Sequence, residues 1–552
     1  MSQRDAIRAK PQSESLASAK DPSQTISAFL SLGPLRHEVF RALWIATVVS
    51  NLGTWMQDVG ESWLMVSLTK SPILVALVET AGSLPVVLLA LPAGAFADLI
   101  DRRRLLLITQ LWMLVAAALM AAFTFGGIMT PWLLLLMTFT LGLGSAMNSP
   151  AWQAIVPELV PRRELPAAVT LASVAFNVSR AVGPAIGGFL VAAAGSGAVF
   201  LLNAASFLGV ILVIYRWQRV AERSTTPTEH VWGAMRAGIR YVRHAPEVKA
   251  VLVRTAVFTF CASALWALLP LQARLTLGLG SLGYGVLLGC LGTGAVLGAA
   301  LLSRVRTLIS NNLLVIVASV LFAVSTLILA HSRMALLTAG AMLLGGLGWI
   351  ACMSSFNTAA QTVAPAWARG RVLALFTLVL LGGLAVGSAA WGAIASRFSV
   401  GTALDVASVG LVVGLTVSIR YRLIQSEDLD LTPWVHWPEP VTAVMPKPER
   451  GPVLVTVRYR IDPNRSQEFR HAMREMKRVR RRDGAFRWGL YSDTADPGRF
   501  VETYLVESWA EHLRQHTRIT EADRKIEERV SAFHLDDGPP AASHLVAESV
   551  KG

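Results

Sequence analysis

Charge is scarce in this chain. Of 552 residues only 16% are Asp, Glu, Lys or Arg, while 53% are hydrophobic. An ordinary soluble domain carries about 25% charged residues, so that class is excluded. Cysteine is scarcer still. Cys261, Cys290 and Cys352 all fall inside apolar stretches, so they read as small core residues, with neither a disulfide framework nor metal-ligand spacing. No metal and no cofactor is expected. No cleavable signal peptide is expected either, because Met1 to Asp21 is Ser- and Ala-rich with mixed charge and lacks an apolar core. That segment is expected to be a disordered cytoplasmic tail. The formal net charge of +14 would suit nucleic acid, yet the bases cluster in alternate loops. The positive-inside rule accounts for that pattern, and no nucleic-acid partner is expected.

What the chain has in abundance is long apolar runs. A bilayer crossing takes about 20 such residues. Ile73 to Ala97 and Leu105 to Met129 both qualify, and between them lies the turn Asp98-Leu-Ile-Asp101-Arg102-Arg103-Arg104. A turn this charged cannot sit in hydrocarbon, and its arginines place it in the cytoplasm. Counting onward, the pattern predicts an all-α polytopic membrane protein of about twelve spans. Residues 1–38 form the tail, 39–216 a first six-helix bundle, 217–249 a cytoplasmic linker and 250–423 a second bundle. Inside loops carry Arg162 with Arg163, Arg304 with Arg306, and Arg369 with Arg371. Both termini then fall in the cytoplasm of a multi-pass protein of the bacterial inner membrane, with the lipid bilayer as its first partner. The halves echo each other: Gln153 to Pro157 corresponds to Gln361 to Pro365, and Val182-Gly183-Pro184 to Val386-Gly387-Ser388.

Ionisable groups inside a span are costly and point to function. Asp58 and Glu61 stand three residues apart on one helix face, and Glu79 returns at a similar depth on the next span. Arg180 falls mid-way along the fifth span, with Asn177 one turn earlier. A carboxylate stripped of water takes up a proton more readily. Protonation and a small-molecule substrate could then compete for one buried charge set, the minimum for proton coupling. The rival reading is a structural ion-pair network between helices.

Several motifs resemble those of the major facilitator superfamily. Gly94, Asp98, Arg102 and Arg103 match the signature loop between its second and third spans, while Leu99 and Asp101 depart from it. The resemblance implies a cytoplasmic gate with Asp98 as central acceptor and Arg102 and Arg103 as donors. Gly183, Pro184, Gly187 and Gly188 match the helix-packing motif that exporters of this superfamily carry in the fifth span, which implies efflux rather than uptake. Leu68 to Pro72, Leu91 to Gly94, Asp101 to Arg104 and Arg369 to Leu373 resemble the subfamily that includes siderophore exporters. Proton-driven export of an amphipathic, siderophore-like or drug-like molecule, and no enzyme activity, is what this implies.

The end of the chain reads differently. Residues 424–450 form a linker, and 451–548 alternate as strand, helix, two strands, helix and strand, a small α+β ferredoxin-like domain. Glu507-Ser508-Trp509 and His512 to His516 resemble small domains of the antibiotic-biosynthesis monooxygenase type. Some of those are cofactor-free oxygenases and others only bind or dimerise, so a homodimer, a regulatory role and a membrane-tethered enzyme stay open for this tail. So does a sensor that kept the fold and lost transport.

Overall fold

In the computed structural model, residues 33–217, 231–423, 430–432, 434 and 445–548 are described, with backbone alone at 90–99 and 231–237. The expected tail (1–38) lies almost wholly outside the described residues, as do much of the two linkers, the surroundings of Gly94 and the side chain of Asp98.

Helices make up the first four-fifths of the chain. α1 (Glu38–Leu68), α2 (Pro72–Leu99), α3 (Arg102–Phe125), α4 (Pro131–Leu159) and α5 (Leu165–Arg216) form a first set. α6 (Val231–His244) is an amphipathic connector. α7 (Pro246–Leu275), α8 (Ser281–Leu308), α9 (Asn311–His331), α10 (Ala335–Thr362), α11 (Ala366–Arg397), α12 (Val400–Gly414) and the short α13 (Val417–Arg420) form a second set. Among the described residues, ten helices are long and apolar enough to cross a membrane. α1 is not one of them, because its polar side chains dilute its apolarity. α5 is 52 residues long, nearly twice what a bilayer needs, and Gly195 at φ 80 divides it. Left-handed backbone costs a glycine little, which is why the helix turns there.

Local chemistry sets the ends. Asp101 accepts the backbone N–H of Arg104 at 3.0 Å and starts α3, and Thr130, followed by a proline, starts α4. Along α3, Ile108, Leu111, Trp112, Val115 and Leu119 are exposed while Leu105, Leu106, Met113 and Ala117 are buried. A helix with an apolar outer stripe suits hydrocarbon on one side and neighbouring helices on the other.

The last hundred residues fold as β1 (Val453–Arg460), α14 (Ser466–Asp483), β2 (Arg487–Ser492), β3 (Arg499–Val506), α15 (Trp509–Arg518), α16 (Glu521–Ser531) and β4 (Ala541–Val546). The sheet runs β2-β3-β1-β4 and every pairing is antiparallel. Val453, Val455, Val457 and Tyr459 alternate inward and, with Phe469, Met473 and Met476 of α14, form its core. The spacing predicts one helix over 509–528, whereas the structure has two. Thr520 and Asp523 cap each other's backbone N–H groups in a capping box, which ends one helix and begins the next.

Candidate functional site

The two helix sets meet at one end and enclose a cavity below it. Hydrogen bonds that join the sets include Ile73 N–H to Ser396 Oγ, Thr80 Oγ1 to the Ala385 carbonyl, Arg274 to the Val66 carbonyl, and one between the Ser62 and Tyr284 side chains. All lie away from the Arg102–Arg104 turn. Gly188 of α5 meets Gly285 of α8 so closely that a Cβ on Gly188 would stand 2.5 Å from the Ser281 carbonyl oxygen. Gly183 and Gly187 serve a different neighbour. They back onto Trp55 and Met56 of α1, and Pro184 lines the cavity between. The four-residue motif therefore lets α5 touch both sets at backbone distance.

The cavity is about 300 Å³ and is lined from both sets, by Asp58, Glu61, Glu79 and Arg180 among others. Glu61 is almost fully buried. Its carboxylate accepts from Gln57 Nε2 at 2.7 Å and from Thr138 Oγ1 of α4 at 2.9 Å. The Gln57 carbonyl oxygen in turn accepts from Asn203 Nδ2 of α5. This chain of amide, carboxylate and hydroxyl groups fastens three helices around one acid, as a buried polar group requires. Asp58 and Glu79 have no side-chain hydrogen bond among the described residues. Asn177 stands outside the cavity lining and donates to the Ser173 carbonyl of its own helix at 2.8 Å.

Arg180 forms no ion pair among the described residues. Its guanidinium lies 5.8 Å from the ring of Trp55 and 5.8 Å from that of Trp266, one indole from each helix set. A second cavity of about 540 Å³ lies wholly within the first set and shares Asp58, Glu61 and Thr138 with the first. Its other polar groups are uncharged, including Asn51, Gln57, Gln110, Asn148 and Gln153. Thr138, Asn203 and Trp266 escaped the sequence reading. An Asn or Gln inside an apolar run is the signal that could have found Asn203, whereas one threonine or tryptophan among many carries none.

Among the described residues, the arginines of the turn bond within the first set. Arg102 donates to Glu158 Oε1 at 2.8 Å and to the Ala154 carbonyl at 3.2 Å. Arg103 caps the end of α5 through the carbonyls of Ile214 and Tyr215. Asp101 is the cap of α3 described above.

The terminal domain sits on the second set. Arg240 of α6 and Arg518 both donate to Glu511, at 2.8 and 2.7 Å, and the Arg518 guanidinium lies 4.7 Å over the Trp367 ring at the start of α11. Burial pushes the Glu511 carboxyl up, but the hydrogen bond from Arg518 and the charges of Arg518, Arg240 and Arg514 outweigh it and hold it below the usual range. Inside the domain, His512, His516 and His544 cluster, with ring centroids 4.8 and 4.6 Å from that of His512. Burial, then the neighbouring imidazoles, pushes His512 down to about 3. Burial and His544 push His516 down to about 4. Among the described residues no His, Cys, Asp and Glu grouping could hold a metal ion.

These features define a membrane-embedded cavity protein built from two helix sets. The family model described as transmembrane secretion effector, a branch of the major facilitator transporters, matches residues 29–551, and the chain belongs to that family. The family's members are transporters, not enzymes. The chain is similar to the staphyloferrin A transporter of Staphylococcus aureus, 30% identical over 29% of this chain and 41% of that protein. It is similar to macrolide efflux protein A of Streptococcus pyogenes, 20% identical over 42% of this chain and 58% of that protein. It thus spans about half the length of those two relatives. The enterobactin exporter EntS of Salmonella choleraesuis is 25% identical over 70% of this chain and 93% of its own. Among solved structures, a bacterial homologue of the iron transporter ferroportin in its inward-facing state aligns with TM-score 0.55 at 16% identity, over 71% of this chain and 99% of that one. A bacterial homologue of the lysosomal transporter Spinster, also inward-facing, aligns at 0.54 and 14%, over 70% and 95%. At such identities the likeness speaks for the fold alone.

Proposed function

We propose that this chain exports a small amphipathic molecule across the bacterial cytoplasmic membrane and draws on the proton gradient to do so. The carrying observation is the cavity between the helix sets, in which Asp58, Glu61, Glu79 and Arg180 line one space, and the hydrogen bonds and glycine contact described above close it at the end away from the arginine turn. The siderophore and macrolide exporters among the relatives support outward transport of a bulky, partly polar cargo. Counting α1, and α5 as two crossings at Gly195, raises the ten apolar helices to twelve, two repeats of six. The arginines then place the turn, α6, the terminal domain and both ends in the cytoplasm. The structure is in this reading the inward-open state. Among the described residues Arg102 and Arg103 bond to the first bundle here, and the gate of Gly94, Asp98, Asp101, Arg102 and Arg103 engages the second bundle when the halves rock. Protons and cargo compete for Asp58 and Glu79, while Glu61 and its amide network position them. Asn177 takes part only after a rotation of α5. Gly183, Pro184, Gly187 and Gly188 are the packing surface on which α5 moves. The tail is a ferredoxin-like regulatory or dimerising module, supported by its antiparallel β2-β3-β1-β4 order.

The test is uptake into inverted vesicles, with enterobactin and erythromycin as probes and a pH gradient imposed or collapsed. Transport that ignores the gradient removes the coupling. An Asp58→Asn variant that behaves as wild type removes that residue from it.

A further inference from the structure

Among the described residues, two buried donors at one corner of the central cavity lack an acceptor. Arg180 Nε and Trp266 Nε1 are both shielded from solvent and have no hydrogen-bond partner, and both residues line the same space. The guanidinium also forms no ion pair among the described residues, although three carboxyl groups line that cavity. The indoles of Trp55 and Trp266 cover it at equal distances. Ring faces stabilise a guanidinium, but they accept none of its in-plane N–H bonds. A half-buried cation with a shielded, unbonded N–H is poorly tolerated, and a fork of donors beside flat rings matches a planar oxyanion attached to a flat group.

We infer that Arg180, Trp55 and Trp266 form an anion subsite that takes the carboxylate, or another planar oxyanion, of an aromatic cargo. The inference rests on the export reading and narrows its substrate class. The carboxyl groups of Asp58 and Glu79 are left for hydrogen-bond donors elsewhere on the same molecule. Because Trp55 and Trp266 come from different helix sets, the subsite is complete only while the sets are joined as here.

The experiment is calorimetric titration of the full-length protein in lipid nanodiscs, with empty discs as blank. The probes are 2-naphthoate, 2-naphthylmethylamine and 2-naphthylmethanol. Naphthoate is expected to bind at least about tenfold tighter than either other probe, the scale of one charge-assisted hydrogen bond. R180Q is expected to lose that preference and R180K to keep part of it. Equal binding of all three probes, no binding of naphthoate, or an unchanged preference in R180Q overturns the subsite. Should R180Q fail to fold, the ranking of the probes on the unaltered protein still decides. Vesicle transport is measured separately. Export without naphthoate binding sinks the subsite alone, while naphthoate binding without any export sinks the transport reading.

Discussion

Adding one methyl group at Gly188 should force the two helix sets apart. In Gly188→Ala the new Cβ would stand 2.5 Å from the Ser281 carbonyl oxygen and 3.0 Å from the Gly285 Cα. Both are backbone atoms of α8, so no side chain can swing aside. Overpacking of this kind costs about 1–3 kcal/mol. The cost applies only where α5 and α8 touch, so it falls on this closed arrangement and not on one in which the sets have separated. At tenfold per 1.4 kcal/mol, the balance moves against closure by a factor of roughly 5 to 150. A ligand-free protein that strongly prefers this state would then populate the alternative visibly. Spin labels at Lys70→Cys and Arg333→Cys, both exposed in turns at the closed end, would report it by pulsed dipolar spectroscopy. The expected result is a longer, broader distance distribution in Gly188→Ala at unchanged helix content. An identical distribution in a folded protein refutes the claim that this glycine contact holds the end shut.

The terminal domain offers two further tests. Glu511→Ala leaves the buried Arg518 and the half-buried Arg240 without their shared acceptor, at a cost of about 3–5 kcal/mol for a broken buried pair. Hydrogen exchange should speed up in α6 and at the start of α11, and unchanged protection there would show that Glu511 does not anchor the domain. The histidine cluster predicts an acid weakness. Unfolded histidines titrate near 6.5, while His512 and His516 stay neutral in the fold down to about 3 and 4. The unfolded chain therefore binds more protons below pH 6.5. Stability is full above that value and falls progressively toward pH 4, by about 1.4 kcal/mol per unit for each displaced group at most. Urea midpoints followed by tryptophan fluorescence from pH 7.5 to 4 check it, and a flat profile would contradict the burial of neutral imidazoles.

Much of the helical order is legible in the residues themselves. Long apolar runs separated by Gly126-Gly127, Gly195-Ser196-Gly197 or arginine-bearing turns can be little else, because backbone in hydrocarbon must satisfy its own hydrogen bonds. The strands of the tail are equally readable from the alternation Val453, Val455, Val457. Which charges meet is another matter. Arg180 is conspicuous in an apolar run, and a carboxylate partner is the natural guess. In the fold it lies between Trp55 and Trp266, more than 70 residues away in either direction, and no local pattern encodes that. Glu61 invites the same guess, yet its partners are an amide and a hydroxyl. Asn177 looks like a cavity residue from its spacing, but its side chain satisfies its own helix. Thr520, placed inside an amphipathic run, breaks it because its hydroxyl caps the next helix.

The grip of the tail on α6 and Trp367 has a practical corollary. Among the described residues, the folded tail holds on to the connector and the later helices and shows no hydrogen bond or ion pair to α1 through α5. A fluorophore or crystallographic chaperone fixed to that appendage would thus travel with one bundle as a rigid passenger. Paired with a second probe on the earlier bundle, it would give a readout of the swing between them without a single alteration inside the bilayer.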